Sequence, residues 1–453
     1  MADAKRSSIR VLMLPWLAHG HVSSFLELAK KLSHRNFHIY FCSTPVLINS
    51  IQPILSHHQH DHDHQNSYSN SIEPVELHLP FIPELPPHYH TTKGLPPHLL
   101  PTLMKAFNMT GTRANFSNIV ETVKPDLIIY DFLSSWLPEL ASSMNIPNIA
   151  FATVGAAVFS SRVHFSKKKG DEEFPFPEIC SHASKKMGQG PPNISQDFRL
   201  FYERSSKIVL VKSFRELEGK YIDFLSSFGQ KVVPVGPLVQ EPVHVSDSDG
   251  SDHIINWLNQ KEISSTVYVS FGSECYPCKE DMEEIAYGLE VSNVNFIWVV
   301  RSPEGEKMKL EEAVLDDGYL GRIKDRGMIV ENWAPQTKIL EHSSIGGFVS
   351  HCGWGSVMES IISGVPIIAV PMQFDQPMNA RLAEASRVGM QVKRDNNGRL
   401  CRENLSKVIR EVVLDKNGDD IRRKTKEMSH IISRKGDEDI DVVVHELLQV
   451  IGM

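Results

Sequence analysis

WAPQTKILEHSSIGGFVSHCGWGSVMESIISGVPIIAVPMQFDQ, residues Trp333–Gln376, is the stretch from which the rest of the chain can be read. Its 44 residues suggest strand, helix, strand, helix, strand and loop. Gly346–Ser350 ends at His351-Cys352-Gly353-Trp354, where a new helix is expected to begin. Polar groups at a strand-to-helix turn fit a phosphate, because the first helical N–H groups lack intrahelical partners and the helix dipole is positive there. Glu359 follows Ser356 by three residues, one turn on and on the same side, where a carboxylate can accept hydrogen bonds from sugar hydroxyls. Pro366 and Pro371 bracket the short apolar strand Ile367-Ile368-Ala369-Val370, and Asp375-Gln376 follow it, two planar side chains suited to a second polyol.

Spacing alone leaves two readings open: a nucleotide-sugar or other phosphorylated-ligand site at the carboxyl edge of a parallel sheet, or an ordinary βαβ unit with a polar rim. The segment closely resembles the signature box of plant secondary-product glycosyltransferases, the UDP-sugar-dependent family 1 enzymes, from the opening Trp-Ala-Pro-Gln to the closing Asp-Gln.

Composition agrees with a soluble, multidomain globular chain. At 453 residues it is long enough for two or three cores. Hydrophobic residues make up 41% and charged residues 23%. A net charge of −8 argues against nucleic acid as the main partner, since phosphate backbones are bound by clustered Lys and Arg. No segment approaches the ~20 apolar residues of a membrane span. The N-terminus runs straight into a strand, so no secretory signal is expected. Six sparse cysteines fit a reducing compartment, and the expected location is the cytoplasm. The glycosylation sequons at Asn108, Asn115, Asn193 and Asn404 then carry no meaning.

From the N-terminus, Ile9–Leu14 (IRVLML) reads as a strand covered on both faces. Pro15 to His21 reads as a loop and Ser23–Leu32 as a helix, so His21 falls at the joint between them. There the positive helix end disfavours the imidazolium, which suits a general base. Leu127-Ile128-Ile129-Tyr130-Asp131 delivers an acid to the same sheet edge. The two form a candidate dyad, with His21 taking a hydroxyl proton and Asp131 orienting the ring. Taken singly, each also reads as an ordinary loop histidine or strand-end aspartate. The resemblance favours catalysis, because the family's catalytic pair occupies the matching Gly-His and post-strand Asp positions. His19 is the rival base.

Ser56–His64 (SHHQHDHDH) invites a metal reading, and Asp61-His-Asp63 and Asp247-Ser-Asp249 mimic an Asp-x-Asp metal motif. All lie in polar loops that no hydrophobic strand delivers, so no metal is expected. Pro83–Pro101 reads as a surface loop that could border an acceptor cleft. Glu241–Asp252 is acidic, Ser-rich and nearly free of large apolar residues, the expected linker. Further strands are expected at Asn148–Ala152, Ile208–Lys212, Val232–Val235, Val267–Ser270, Phe296–Arg301 and Met328–Val330. Cys275-Tyr-Pro-Cys278 is a lone CxxC without a second redox feature.

Two strand-helix halves joined by a polar linker argue for paired, doubly wound Rossmann-like α/β domains facing across a cleft. In the terms of the family this is the GT-B fold. The expected division is an acceptor-binding domain over 1–240, a linker over 241–252, a UDP-sugar domain over 253–434, and a C-terminal helix over 435–453 returning to the first domain.

Carried over by resemblance, Trp333 stacks on uracil, with Ala334 beside it, and Gln336 meets the nucleoside. Ser273, His351 and Ser356 hold the diphosphate at the Trp354-Gly355 helix start, Glu359 the ribose, and Asp375 and Gln376 the hexose. Thr153 matches a position near the sugar 6-hydroxyl. One residue departs from the pattern: the family usually reads His-Cys-Gly-Trp-Asn-Ser, and Gly355 here removes an amide contact to phosphate. The implied activity is inverting transfer from UDP-glucose, a donor substrate, with no cofactor and most simply by a monomer.

Pro15 to His21, Arg35 to Thr44, Ser213-Phe-Arg-Glu-Leu-Glu218 and Phe271-Gly-Ser-Glu274 resemble the subgroup that extends sugar chains on triterpenoid, flavonoid or apocarotenoid glycosides. The implied product is a β-1,6 or β-1,2 branch. Direct glucosylation of an aglycone is the same-class alternative, and a non-catalytic UDP-sugar-binding protein the alternative from another class. A dehydrogenase is disfavoured, since no Gly-x-Gly-x-x-Gly follows the first strand.

Overall fold

Apolar runs too short for helices and bounded by Gly, Pro or polar residues become strands, and the longer amphipathic segments between them become the helices that cover both sheet faces. The computed structural model of the chain describes residues 8–56, 71–167, 173–180, 192–240, 252–301, 318–331 and 333–453. The histidine-rich run beyond Ser56, with Asp61 and Asp63, lies outside them, as do Asp247, Asp249 and residues 241–251 of the expected linker.

In chain order the described elements begin β1 (Ile9–Leu14), α1 (His19–Ser33), β2 (Phe37–Ser43), α2 (Pro45–Ser56) and β3 (Ile72–Glu76). Next come α3 (Leu100–Asn108), α4 (Thr110–Val123), β4 (Leu127–Asp131), α5 (Leu137–Ser143), β5 (Asn148–Ala152) and α6 (Ala156–Lys167). Then follow α7 (Pro192–Arg204), β6 (Ile208–Val211), α8 (Arg215–Ser226), β7 (Lys231–Pro234), α9 (Asp252–Leu258) and β8 (Thr266–Ser270). After these stand α10 (Lys279–Ser292), β9 (Asn295–Val300), α11 (Tyr319–Ile323), β10 (Gly327–Glu331), α12 (Gln336–Leu340) and β11 (Ile345–Ser350). The series closes with α13 (Trp354–Ile362), β12 (Ile367–Ala369), α14 (Gln376–Ala385), β13 (Gly389–Gln391), α15 (Arg402–Val413), α16 (Asp419–Lys435) and α17 (Glu438–Val450).

The chain divides into two units, one made of Met1–Phe174, Lys186–Leu238 and Asp437–Met453, the other of Pro175–Lys185 and Val239–Gly436. Each is built on one parallel sheet, ordered β3-β2-β1-β4-β5-β6-β7 in the first and β10-β9-β8-β11-β12-β13 in the second. Both are α/β, Rossmann-like and doubly wound, the expected fold class. The strand order reverses between β1 and β4 and again between β8 and β11, and at such reversals the carboxyl ends leave a crevice for ligands. Alternation across the second sheet is plain: Val267, Val269, Trp298 and Val349 enter one core cluster, while Tyr268, Ile297, Val299 and Phe348 enter the opposite one.

Four expectations need correction. The edge strand β3, Ile-Glu-Pro-Val-Glu, is absent from the expected strands; only Ile72 of its five residues is buried, and Pro74 without an N–H suits an edge. Helix α1 starts at His19 instead of Ser23, because the Ala18 carbonyl accepts the N–H groups of His21 and Val22 and closes the first turn before the apolar periodicity begins. The signature stretch opens in coil, since β10 has ended at Glu331 and Pro335 lacks the N–H a ladder needs. Pro83–Pro101 holds two 3₁₀ turns, Pro87–Tyr89 and Pro97–Leu99, and runs into α3 at Leu100.

Candidate active site

At the first reversal, β1 and β4 lie side by side with Leu14 opposite Tyr130, and all five residues of β4 are buried. Asp131 therefore emerges next to the chain that leads from β1 into α1. His21, in the first turn of α1, places its Nδ1 2.7 Å from Asp131 Oδ2. The acid is fully buried while the His21 side chain keeps 20% exposure, so the ring reaches from an enclosed carboxylate toward the surface. Asp131 accepts a second, longer bond at Oδ1 from the Leu133 N–H, 3.3 Å away. An acid accepting from Nδ1–H fixes the tautomer that leaves Nε2 as the basic nitrogen. His19 lies two residues earlier on the same turn and is exposed.

Thr153 follows β5, which pairs with β4 so that Asp131 faces Phe151. Its hydroxyl lies 2.9 Å from His21 Nδ1. The expectation for Thr153 concerned the sugar 6-hydroxyl; the structure places it on the histidine, with Asp131.

The second reversal gathers the remaining candidates. Ser270 and Ser350 are paired at the ends of β8 and β11, so Gly272-Ser273 and His351 share one corner. A Cβ on Gly272 would come within 2.8 Å of His351 Cε1, and one on Gly353 within 2.6 Å of Nε2. Gly272 also adopts φ +77°, the left-handed region open to glycine. Both glycines are thus required for the imidazole to occupy its place. Burial pushes the His351 pKa down from 6.5 to about 4, so the ring is neutral, and its enclosed Nδ1 has no hydrogen-bond partner. Such an orphaned polar atom beside a helix start fits a phosphate oxygen or its water.

Cys352, at φ +65°, turns the chain into α13, its N–H donating 3.1 Å to Ser350 Oγ. Trp354, Gly355 and Ser356 form the first turn, whose N–H groups are the helix-end donors. Trp354 is 4% exposed, so what it can offer a ligand is its backbone.

Trp333 stands 53% exposed ahead of α12, as a stacking surface would, and Ala334 beside it is buried. Gln336 opens α12, accepting from the Tyr268 hydroxyl at 3.4 Å and donating its amide to Glu359 Oε2 at 2.5 Å. The nucleoside and ribose candidates are therefore one bonded pair. At the end of β12 the Gln376 Oε1 accepts both Met372 and Gln373 N–H groups at 2.9 Å, which leaves the amide nitrogen as the group suited to a sugar oxygen. Asp375 accepts from Asn379 Nδ2 at 2.8 Å, and the same nitrogen donates 3.0 Å to the Cys352 carbonyl. Asn379 and Tyr268 went unread in the sequence. The available signal for Asn379 was its place four residues beyond Asp375, one helical turn on.

Among the described residues no three metal-ligating side chains converge, and no helix is long and apolar enough to cross a membrane. Cys275 is buried against the Met372 sulfur at 3.2 Å, and burial raises its thiol to about 11, well away from redox reactivity.

Two doubly wound units with polar side chains gathered at both carboxyl edges have the build of a nucleotide-sugar transferase. The chain belongs to the UDP-glycosyltransferases: residues 245–434 match the family described as UDP-glucoronosyl and UDP-glucosyl transferase, and residues 7–240 match the glycosyltransferase N-terminal domain. It is similar to mogroside IIIx synthase of Siraitia grosvenorii, 51% identical over 96% of this chain and 92% of that protein. It is also similar to beta-D-glucosyl crocetin beta-1,6-glucosyltransferase of Gardenia jasminoides, 45% identical over 97% of this chain and 98% of the other. Among solved structures, Phytolacca americana UGT2 complexed with UDP-2fluoro-glucose and pterostilbene superposes with TM-score 0.80 at 25% identity, covering 98% of this chain and all of that one.

Proposed function

We propose that this UDP-glycosyltransferase is an inverting glucosyltransferase that adds a β-linked glucose from UDP-glucose to a sugar hydroxyl of a plant glycoside. The observation that carries the reading is the 2.7 Å contact between His21 Nδ1 and buried Asp131. With Nδ1–H held by the carboxylate, Nε2 takes the proton of the acceptor hydroxyl as its oxygen bonds to the anomeric carbon. The bond from that carbon to the UDP oxygen breaks in the same displacement, inverting an α-linked donor to a β-linked product. Asp131 then faces an imidazolium, whose charge it stabilises. The negative charge on departing UDP falls to the donors of unit 2: the first-turn N–H groups of α13, Ser273, Ser356 and His351. Trp333 and Gln336 take the nucleoside, Glu359 the ribose, and Asp375 and Gln376 the hexose.

The glycoside acceptor is supported by relatives whose names specify glucosylated crocetin and a mogroside product. A 1,6 branch accords with the first of these names. We infer that the reaction needs no cofactor besides the donor and that a single chain carries it out in the cytoplasm. His21→Ala should abolish transfer while UDP binding changes less than about twofold, since the imidazole meets the acceptor and not the nucleotide. Retained turnover would transfer the role to His19. Paired glycoside and aglycone acceptors, with products resolved by mass spectrometry, test the acceptor: a product from the aglycone alone overturns the glycoside reading.

A further inference from the structure

Glu218 is fully buried, ionisable and outside both groups of residues described so far. It ends the Ser213–Glu218 stretch and sits in α8 with non-helical backbone angles, φ −123° and ψ 17°. Its Oε2 accepts the Ala156 N–H at 2.8 Å and the Ser213 hydroxyl at 2.5 Å, and its Oε1 accepts the Ala157 N–H at 2.8 Å. Ala156 and Ala157 are the first residues of α6, so the carboxylate satisfies two orphan donors and sets negative charge at the positive helix end. Burial raises the carboxyl to about 7, against the pull of those three donors.

Three residues before Ala156 stands Thr153, whose hydroxyl touches His21 Nδ1. The turn between β5 and α6 is short, and Glu218 grips the helix at its far end. The neighbouring strand-end residue, Lys212, serves the other support of His21. Its Nζ donates to Ser24 Oγ at 2.9 Å, and that hydroxyl donates to the Gly20 carbonyl at 2.7 Å, next to His21 in α1. Consecutive residues beyond β6 thus reach to opposite sides, Lys212 to the helix that carries the histidine and Ser213, through Glu218, to the turn that carries Thr153.

We propose that Glu218 is a positioning residue for proton abstraction: by clamping the start of α6 it holds the Thr153 hydroxyl on His21 Nδ1, and with it the ring orientation that Asp131 requires. This rests on the reading of His21 as base. Such supporting groups act through geometry, and small displacements of a base weaken catalysis more than they weaken binding.

The test uses the full chain and measures kcat, KM for UDP-glucose and for the glycoside acceptor, and thermal midpoint. The variants are Glu218→Gln, Ser213→Ala and Thr153→Ala, with both doubles carrying Thr153→Ala. Glu218→Gln opposes an amide nitrogen to an N–H donor, and should lower kcat about tenfold or more while KM for UDP-glucose stays within about twofold. Ser213→Ala, which keeps the carboxylate, should lower kcat about threefold. In the Thr153→Ala background neither change should reduce kcat further, because Glu218 acts through Thr153. Losses that multiply in the doubles, a kcat that tracks only the folded fraction, or an unchanged kcat in Glu218→Gln would overturn the proposal. If Glu218→Gln does not fold, Ser213→Ala in the two backgrounds decides by the same comparison. His21→Ala with retained turnover is a different failure, that of the base reading itself.

Discussion

Gly355 occupies the second position of α13, where the family signature usually carries asparagine. A Cβ added there meets nothing within 4 Å, so the first atom of the longer side chain displaces no neighbour. Gly355→Asn should lower KM for UDP-glucose by about twofold to tenfold, the equivalent of roughly 0.5–1.5 kcal/mol for one hydrogen bond. Initial-rate kinetics check it, and an unchanged or higher KM counts against a phosphate at this helix start. Legibility at this scale depended on how locally a residue's role is written. His21 and Asp131 each end a recognisable strand or open a recognisable helix, so their convergence followed from the parallel sheet. Glu218 and Tyr268 act through partners 62 and 68 positions away, contacts that no periodicity encodes, and Asn379 adds to its helical bond with Asp375 a reach of 27 positions to the Cys352 carbonyl. Thr153 is expected at the site, but its contact with His21 is not legible, because it depends on β5 pairing beside β4, a long-range choice that no local pattern records.

The strand-to-helix turns are where elements become sites. At the corner of β8 and β11 the two glycines enclose His351, whose pKa lies near 4 instead of 6.5 because burial penalises its charge. The unfolded chain therefore takes up a proton below about pH 6.5 that the native ring refuses until about pH 4. The contribution is intact above 6.5, falls as pH drops through that window, and is lost below it. The loss should be on the order of 2 kcal/mol for a half-buried ring with some screening. Denaturant melts of the parent and His351→Gln from pH 7 to 4 should show the variant with a flatter acid limb; parallel limbs would mean the ring's burial is immaterial to stability. Elements written as continuous apolar runs, such as β1, β4 and β5, were legible to the residue. Strand β3 was not, since an edge strand buries little and so carries little pattern. The start of α1 was not, since its first turn is His-Gly-His, polar residues held by the Ala18 carbonyl and not by packing.

Across the whole molecule, the chain leaves unit 1 at Leu238 and re-enters it at Asp437. Gly436, at φ +56°, ends α16 in a backbone region that favours glycine. Helix α17 then lays Ile440, Val443 and Leu447 against unit 1, at the i, i+3, i+7 spacing of an apolar stripe. Ion pairs fix its ends: Asp437 with Lys31 at 3.0 Å, Asp441 with Arg35 at 2.8 Å, and Glu446 with Lys231 at 2.6 Å. Leu447 is fully buried, so Leu447→Ala should cost unit 1 about 2–5 kcal/mol, as truncations of enclosed leucines do. Equilibrium unfolding with a probe in unit 1 reads it, and a loss below about 1 kcal/mol would mean the helix is only loosely docked.

The re-entry of the chain also orders events on the ribosome. The polypeptide emerges from its N-terminal end, so the sheet bearing His21 is synthesised first yet cannot receive its last helix until residues 438–450 have been released. All of the strands bearing the nucleotide-side residues have by then left the tunnel. The half of the enzyme that starts first is the half that finishes last, and a fragment stopping near residue 240 would expose an apolar seam that chaperones or aggregation must meet.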